Sequence, residues 1–278
     1  MSSEITRQNA VEELASRRFD IVVIGGGANG VGVALDAVTR GLEVALIERG
    51  DFASGTSSRS SKLIHGGIRY LAQGRISLVR EALRERQRLL RNAGDLVHPL
   101  EFILPVQDRL QALKFFVGLK VYDWLARRGT LNKSRWLKAA ELSAKLPTFK
   151  TSGLRGLSYS DARFDDAALT LSVIEQAVNN GATAANYLEA IGFEKEQGRI
   201  SALKCRDLES NGEFSIATRM VVNCSGARTD QICRLDDPDS RSLVTLSQGT
   251  HVVLPPEFRS GDRALVFPET PDGRIMFA

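Results

Sequence analysis

An α/β fold built on a parallel nucleotide-binding sheet is predicted by three features near the start of the sequence. Phe19-Asp-Ile-Val-Val-Ile24 is an almost continuous β-branched run of the kind that parallel sheets bury on both faces. Gly25-Gly26-Gly27-Ala28-Asn29-Gly30 follows, leading into a helix over Val31 to Thr39 that Gly41 closes. A second strand, Glu43 to Ile47, then ends at the acid Glu48. Glycines at G-x-G-x-x-G spacing are common by chance. Set between a strand and a helix, with an acid closing the next strand, they form a dinucleotide fingerprint, and the domain reads as Rossmann-like.

Each part of the fingerprint has a physical task. Gly25 permits the tight turn, Gly27 lets the backbone approach a pyrophosphate, and Gly30 allows the helix to pack closely on the strand. Asn29 lies in the glycine turn just before the helix, whose N-terminal N–H groups face the phosphates, and counts among the cofactor contacts. Glu48 accepts the ribose hydroxyls of an adenosine and disfavours a 2′-phosphate, which makes NADP a poor fit.

The next stretch separates FAD from NAD. Asp51 to Arg69 is a polar, glycine-rich loop where an ordinary NAD domain would enter its next crossover. An extended flavin needs such a loop beside its pyrophosphate and ribityl chain. Thr56, Ser57 and Ser58 are the hydroxyl donors, and Lys62 is a cation for the flavin N1–C2 side. Leu63, Ile64, His65 and Gly67 complete the expected cofactor contacts. His65, in its glycine-rich setting, is also a candidate for proton transfer. Arg69 follows closely enough to place a guanidinium fork on a substrate phosphate, and His251 is a weaker substrate-side candidate.

Composition narrows the classes further. The 278 residues are 43% hydrophobic and 25% charged, with a formal net charge of +4, ordinary values for a folded globular chain. Three cysteines without a Cys-x-x-Cys pair argue against a disulfide framework or a zinc site, and no metal is expected. The polar start lacks the apolar stretch of a signal peptide, and no long uncharged apolar segment follows. Net charge alone raises nucleic-acid binding, but no aromatic stacking platform accompanies the arginines of Ile76 to Arg91, so none is expected.

Further along, Ile76 to Arg91 has the spacing of an amphipathic helix with Ile76, Val79, Leu83 and Leu90 on one face. Leu110 to Arg128 is a helix richer in aromatics, either a core helix or a membrane-surface helix with Phe115, Phe116 and Trp124 at the interface. A third helix spans Asp165 to Asn180. Tyr187 to Phe193, Ile200 to Cys205 and Phe214 to Thr218 are expected as a three-stranded meander. A separate strand, Met220 to Asn223, is expected to rejoin the parallel sheet. The last residues read as a hairpin, Arg263 to Pro268 and Arg274 to Ala278 around Asp272-Gly273, whose second strand stops within its apolar run. The chain is therefore expected to be part of a longer one.

The segments Ile24 to Gly41 and Ser58 to Leu71 resemble the FAD-dependent glycerol-3-phosphate dehydrogenases at nearly every position. The likeness extends to PLEFILPV (99–106), YSDARFDDAAL (159–169) and GTHVVLP (249–255). It departs at Cys224-Ser-Gly-Ala-Arg228, where the family usually has Ala-Thr-Gly-Pro-Trp, though Ser225 and Gly226 keep a turn that approaches the cofactor. The resemblance implies a Rossmann-like FAD-binding domain of the glutathione-reductase and D-amino-acid-oxidase type with an incomplete mixed-β substrate domain. It divides the chain into 18–98 and 161–230 for the cofactor, 99–160 for the substrate side and a helical insertion, and 231–278 for the start of the substrate sheet.

It further implies that backbone at Ala190 faces the adenine, that His65 is mainly a cofactor contact, and that Arg69 grips the substrate phosphate. The implied reaction oxidises sn-glycerol 3-phosphate to dihydroxyacetone phosphate and passes the electrons to a quinone, at the cytoplasmic face of a membrane or in the cytoplasm. Further phosphate ligands lie beyond the stretch present, so this chain alone is expected to be inactive. An anionic membrane surface and a homodimer stay open as partners. An oxygen-using glycerol-3-phosphate oxidase or another FAD-dependent oxidoreductase of this fold remains the alternative, with an NAD-linked dehydrogenase or a nucleic-acid-binding flavoprotein further off.

Overall fold

The computed structural model describes residues 6–129, 131–253, 255, 262–267 and 276–278; the side chains of Arg69, Ala72 and Arg128 fall outside the description. The elements run α1 (Arg7–Ser16), β1 (Arg18–Ile24), α2 (Ala28–Thr39), β2 (Val44–Ile47), β3 (Leu63–Ile64), α3 (Ile68–Ala72), α4 (Ile76–Asn92), β4 (Val97–Val106), α5 (Arg109–Ala126), β5 (Arg135–Leu137), α6 (Ala139–Lys145) and β6 (Arg155–Phe164). They continue as α7 (Asp166–Asn179), β7 (Thr183–Ala185), β8 (Leu188–Glu196), β9 (Arg199–Asp207), β10 (Glu213–Asn223), α8 (Thr229–Asp236), β11 (Arg263–Phe267) and β12 (Met276–Phe277). The chain divides into two compact units, one of residues 1–60 and 166–249 and the other of residues 61–165 and 250–278.

The first unit holds a six-stranded sheet in the order β7-β2-β1-β10-β9-β8. β2, β1 and the second half of β10 are parallel, and every residue of β2 is buried, as its unbroken apolar run requires. One face packs α2 and α7 around Val23, Val31, Ala34, Val44, Leu46 and Ile174. The other gathers Leu14 of α1 with Phe19, Val22, Ile47, Leu203 and Ile216. The Rossmann-like expectation is met.

One expectation is corrected here. The strands 214–218 and 220–223 are a single strand, β10, which pairs antiparallel with β9 through Glu213 to Ala217 and parallel with β1 through Ala217 to Asn223. One extended strand satisfies both ladders, since each edge of its backbone bonds a different neighbour.

The second unit is a mixed sheet in the order β12-β11-β4-β6-β3, with β5 also on β6. β4 and β6 pair antiparallel along their full lengths, and β11 lies parallel to β4. α4 and α5 cover it through Val79, Leu83, Leu119, Tyr122, Phe102, Leu157 and Tyr159. The expected hairpin is present as the pairing of Val266 with Phe277 and Phe267 with Met276, while its turn at Asp272-Gly273 lies outside the described residues. Gly249 to Val253, around His251, forms no regular strand and has no ladder partner among the described residues.

Helices α4 and α5 depart from the expected faces. In α4 the buried residues are Val79, Leu83 and Arg86, whereas Ile76, at the first position, is 51% exposed. In α5, begun by Asp108 accepting from Gln111 N at 2.6 Å, Phe115 and Phe116 pack against the core. Leu110, Leu113, Val117, Val121 and Trp124 are exposed instead, Trp124 by 70%. A run apolar around most of its circumference leaves the choice of inward face to the sheet it meets.

Candidate functional site

The turn joining β1 to α2 is shaped by contacts that admit no side chain. Gly25 has φ +116°, donates its N–H to Ile47 O at 2.8 Å, and would place a Cβ 2.4 Å from the Cys224 carbonyl oxygen. A Cβ on Gly30 would lie 1.8 Å from the Gly25 carbonyl oxygen, so α2 crosses the end of β1 only because that atom is missing. Gly27 precedes α2, and a Cβ there would come within 2.9 Å of Ser57 Oγ. Ala28 N–H, at the helix N-terminus, donates to that same Ser57 oxygen at 2.8 Å, and Asn29 is exposed in the first turn.

Glu48 sits at the end of β2, where its backbone N–H bonds Ala185 O at 3.0 Å and its carbonyl accepts from Leu188 N at 2.8 Å. Its carboxylate accepts from the N–H groups of Gly26 and Gly50, each at 2.7 Å. Gly26 was not singled out by its sequence, yet a Cβ on it would meet Phe52 at 2.5 Å and Glu48 Cβ at 2.9 Å. Ala190 lies farther along β8, opposite Cys205, beside a β-bulge and the Arg49–Glu189 ion pair of 2.7 Å. Ser225 follows β10 in a turn bound to Asn223 Oδ1 through both its N–H and its hydroxyl, at 3.2 and 2.6 Å. Gly226 completes that turn at φ +59°, and Ser225 Cα would be 3.1 Å from a Cβ on Gly25. Gly25, Gly30, Glu48 and the Ser225 turn therefore share one end of the parallel sheet.

This constellation fits a dinucleotide. A helix N-terminus, a backbone cleared of side chains and a carboxylate at the next strand's end are the groups that a dinucleotide's pyrophosphate and ribose require. Thr56, Ser57 and Ser58 form a single 3₁₀ turn in the same unit, and Ser60 anchors its end by donating its hydroxyl to Asp166 at 2.7 Å. Cys224 is half-buried, and burial pushes its thiol up from the ordinary range.

The remaining candidates belong to the second unit. Lys62 has φ +56° and its carbonyl accepts from Phe164 N at 3.1 Å. Leu63 and Ile64 pair with Arg163 and Ala162 of β6, so this part of the expected loop is a short strand. His65 is exposed, its ring stacks against Phe277 at 6.1 Å, and its Nδ1 accepts from Gly67 N at 3.1 Å. Gly67 has φ +68° and opens α3. Arg69 falls within α3, but its side chain lies outside the described residues. His251 is exposed in an irregular segment.

Behind this turn lies a buried charged cluster that sequence reasoning missed. Arg86 and Asp161 are each 1% exposed and form an ion pair, while Arg86 also donates to Gly129 O at 2.8 Å and Ser160 O at 3.2 Å. The Tyr122 hydroxyl donates to the Asp161 carboxylate, with separations of 2.7 and 2.9 Å to its two oxygens. It accepts from Gly66 N–H at 2.7 Å. Burial pushes the Asp161 carboxyl upward, against the Arg86 guanidinium and the Tyr122 hydroxyl, which hold it down. Burial and the Asp161 charge together raise the Tyr122 phenol well above its usual range. The available signal was Arg86 itself, an arginine on the same helical stripe as Val79 and Leu83.

Among the described residues no group of His, Cys, Asp and Glu could hold a metal ion, and no helix is long and apolar enough to cross a membrane.

Comparison with known proteins agrees with this geometry. The family described as FAD dependent oxidoreductase matches residues 20–278. The mitochondrial glycerol-3-phosphate dehydrogenase of Homo sapiens is 40% identical over 98% of this chain and 39% of its own length. The probable glycerol-3-phosphate dehydrogenase of Encephalitozoon cuniculi is 38% identical over 98% of this chain and 46% of its own. The chain thus spans less than half the length of these relatives. Among solved structures, the glycerol-3-phosphate dehydrogenase from Bacillus halodurans complexed with FAD superposes with a TM-score of 0.74 at 29% identity, covering 100% of this chain and 48% of that one. With a glycine-lined strand-to-helix turn, an acid at the next strand's end and a family match over nearly its whole length, the chain belongs to the FAD dependent oxidoreductase family.

Proposed function

We propose that this chain carries the FAD-binding part, and a portion of the substrate-binding part, of an FAD-dependent glycerol-3-phosphate dehydrogenase. The observation that carries the reading is the Gly25–Gly30 turn closed against Ser57 and Glu48, in a sequence about 40% identical to such enzymes. FAD, when bound, supplies the hydride acceptor for oxidising the secondary alcohol of sn-glycerol 3-phosphate. The chain's residues do the rest. The N-terminal turn of α2 and the hydroxyls of Thr56, Ser57 and Ser58 bind the pyrophosphate and ribityl oxygens, with Gly25, Gly27, Asn29 and Gly30 lining the approach. Glu48 holds the ribose, and backbone at Ala190, Ser225 and Gly226 contacts the cofactor. Lys62, Leu63, Ile64, His65 and Gly67 contact the flavin, Arg69 grips the phosphate, and His65 or His251 moves the hydroxyl proton.

The same reading divides the work between cofactor-binding and substrate-side segments, and sends the electrons to a quinone. Peripheral attachment to an anionic membrane at the cytoplasmic face fits the exposed Leu110, Val117, Val121 and Trp124 of α5 with basic residues beside them. The deciding experiment purifies the protein that carries this chain and measures bound flavin and glycerol 3-phosphate oxidation with a ubiquinone analogue and with oxygen. Yellow protein active with the quinone analogue is expected. A colourless folded protein that binds NAD refutes the cofactor assignment, and reoxidation by oxygen alone refutes the dehydrogenase assignment.

A further inference from the structure

We propose that Tyr122 is a positioning residue for the His65–Gly67 turn, held to that task by the buried Arg86–Asp161 pair. The inference rests on the reading above for what the turn serves, but its geometry stands within one compact unit. A tyrosine hydroxyl has one hydrogen and two lone pairs. At Tyr122 the hydrogen goes to the Asp161 carboxylate, which leaves the oxygen free to accept the Gly66 N–H at 2.7 Å. The direction is enforced from behind: Arg86 holds Asp161 as an acceptor and is itself anchored to the Ser160 and Gly129 carbonyls. Asp161 therefore cannot turn away without leaving a buried guanidinium unpaired, and Tyr122 cannot donate elsewhere without leaving a buried carboxylate short of a donor.

The turn is held sterically as well. Gly66 is buried, and a Cβ on it would lie 2.3 Å from the Tyr122 oxygen and 2.6 Å from Leu83 Cδ2, so its backbone is seated directly on α4 and α5. One residue on, Gly67 takes φ +68° and donates its N–H to His65 Nδ1. That bond uses the Nδ1 lone pair as its acceptor, which leaves Nε2 as the ring nitrogen that faces outward as a donor. The orientation of Gly66 thus bears on the imidazole of His65: Arg86 fixes Asp161, Asp161 fixes the Tyr122 hydroxyl, and the hydroxyl fixes the His65–Gly66 peptide, one link before the Gly67 N–H that bonds His65 Nδ1. Tyr122 touches neither substrate nor cofactor in this scheme and acts only through the turn.

The test is Tyr122→Phe, which keeps the ring and removes the oxygen, beside Leu119→Val, a loss of packing from the same buried face of α5. In protein without FAD, Tyr122→Phe should speed amide exchange at Gly66 by about 10- to 100-fold, the range expected when a buried N–H loses its acceptor. It should also shift the ¹⁵N signals of His65, and Leu119→Val should do neither at a comparable fall in melting temperature. In the holoenzyme Tyr122→Phe should alter the flavin absorbance and circular dichroism and lower kcat with little change in KM. Unchanged Gly66 exchange and His65 signals in Tyr122→Phe would overturn the positioning role whatever the flavin does. Altered exchange with an unaltered flavin spectrum would support the positioning and refute the reading that the turn serves the cofactor. If Tyr122→Phe does not fold, wild-type protein decides: a Gly66 amide exchanging as fast as exposed amides overturns the inference, and one among the slowest supports it.

Discussion

Replacing Gly30 by alanine tests the fingerprint with a control built into the same helix. The new Cβ would stand 1.8 Å from the Gly25 carbonyl oxygen and 3.3 Å from Cys224 Cβ. An ordinary carbon–oxygen approach is roughly 3.3 Å, so the N-terminus of α2 must retreat from β1 by roughly 1.5 Å. No side-chain rotation relieves a clash with backbone. The cost belongs at the upper end of overpacking, about 3 kcal/mol, against a helix-propensity gain of about 1 kcal/mol. The net loss of about 2 kcal/mol corresponds to a melting-temperature fall of roughly 4–8 °C for a unit of this size. Retreat of the helix also withdraws its N-terminal turn from the pyrophosphate that it is proposed to face, and loss of one charge-assisted bond there is worth about 1.5–3 kcal/mol, or roughly 10- to 150-fold in FAD affinity. Gly32, two residues on, is exposed and nothing lies within 4 Å of its would-be Cβ. Gly32→Ala should therefore stabilise the protein by about 1 kcal/mol and leave FAD binding unchanged. Thermal denaturation and fluorescence titration with FAD read both variants. If Gly30→Ala behaved like Gly32→Ala in either assay, the close helix–strand contact would not be what the glycine is for.

Three other outcomes are expected. Asp207 is almost buried, which acts to raise its pKa, but bonds from Arg7, the Glu209 N–H and Ser210 outweigh this and hold it at about 2. Because the folded value lies below the unfolded one, its stabilisation of about 2 kcal/mol is full above pH 4 and drains away as pH falls toward 2; Asp207→Asn should remove that part of the acid limb in pH-dependent denaturation. In the enzyme carrying this chain, Arg69→Ala should cost roughly 2–5 kcal/mol, about a 30-fold to several-thousand-fold fall in kcat/KM for glycerol 3-phosphate with flavin retained, and equal losses on unphosphorylated glycerol would place Arg69 elsewhere than on the phosphate. Paired Val121→Asp and Trp124→Asp changes should abolish co-sedimentation with anionic liposomes without lowering stability, since both side chains are exposed; undiminished binding removes α5 from the membrane reading.

The cofactor turn was legible from the residues alone because its determinants are local. A strand, three glycines, a helix and an acid lie close together in the chain, and what each does depends on backbone sterics that glycine or a carboxylate satisfies in any context. The meander was legible for a similar reason, since period-two patterning and the turns at Gln197-Gly198 and Asn211-Gly212, where Gln197 and Asn211 take positive φ, act over a few residues. Tertiary structure alone decided which face of α5 turns inward, because that helix is apolar nearly all round and only the β4–β6 sheet breaks the tie. It also decided that β10 serves two ladders and that Arg86 is buried. An arginine within a basic-looking helix can enter a core only when an acid from a distant strand meets it, and Asp161 is brought there by β6 pairing with β4. Contacts of that kind depend on strand register between segments far apart in the chain, which the residues near Arg86 do not encode.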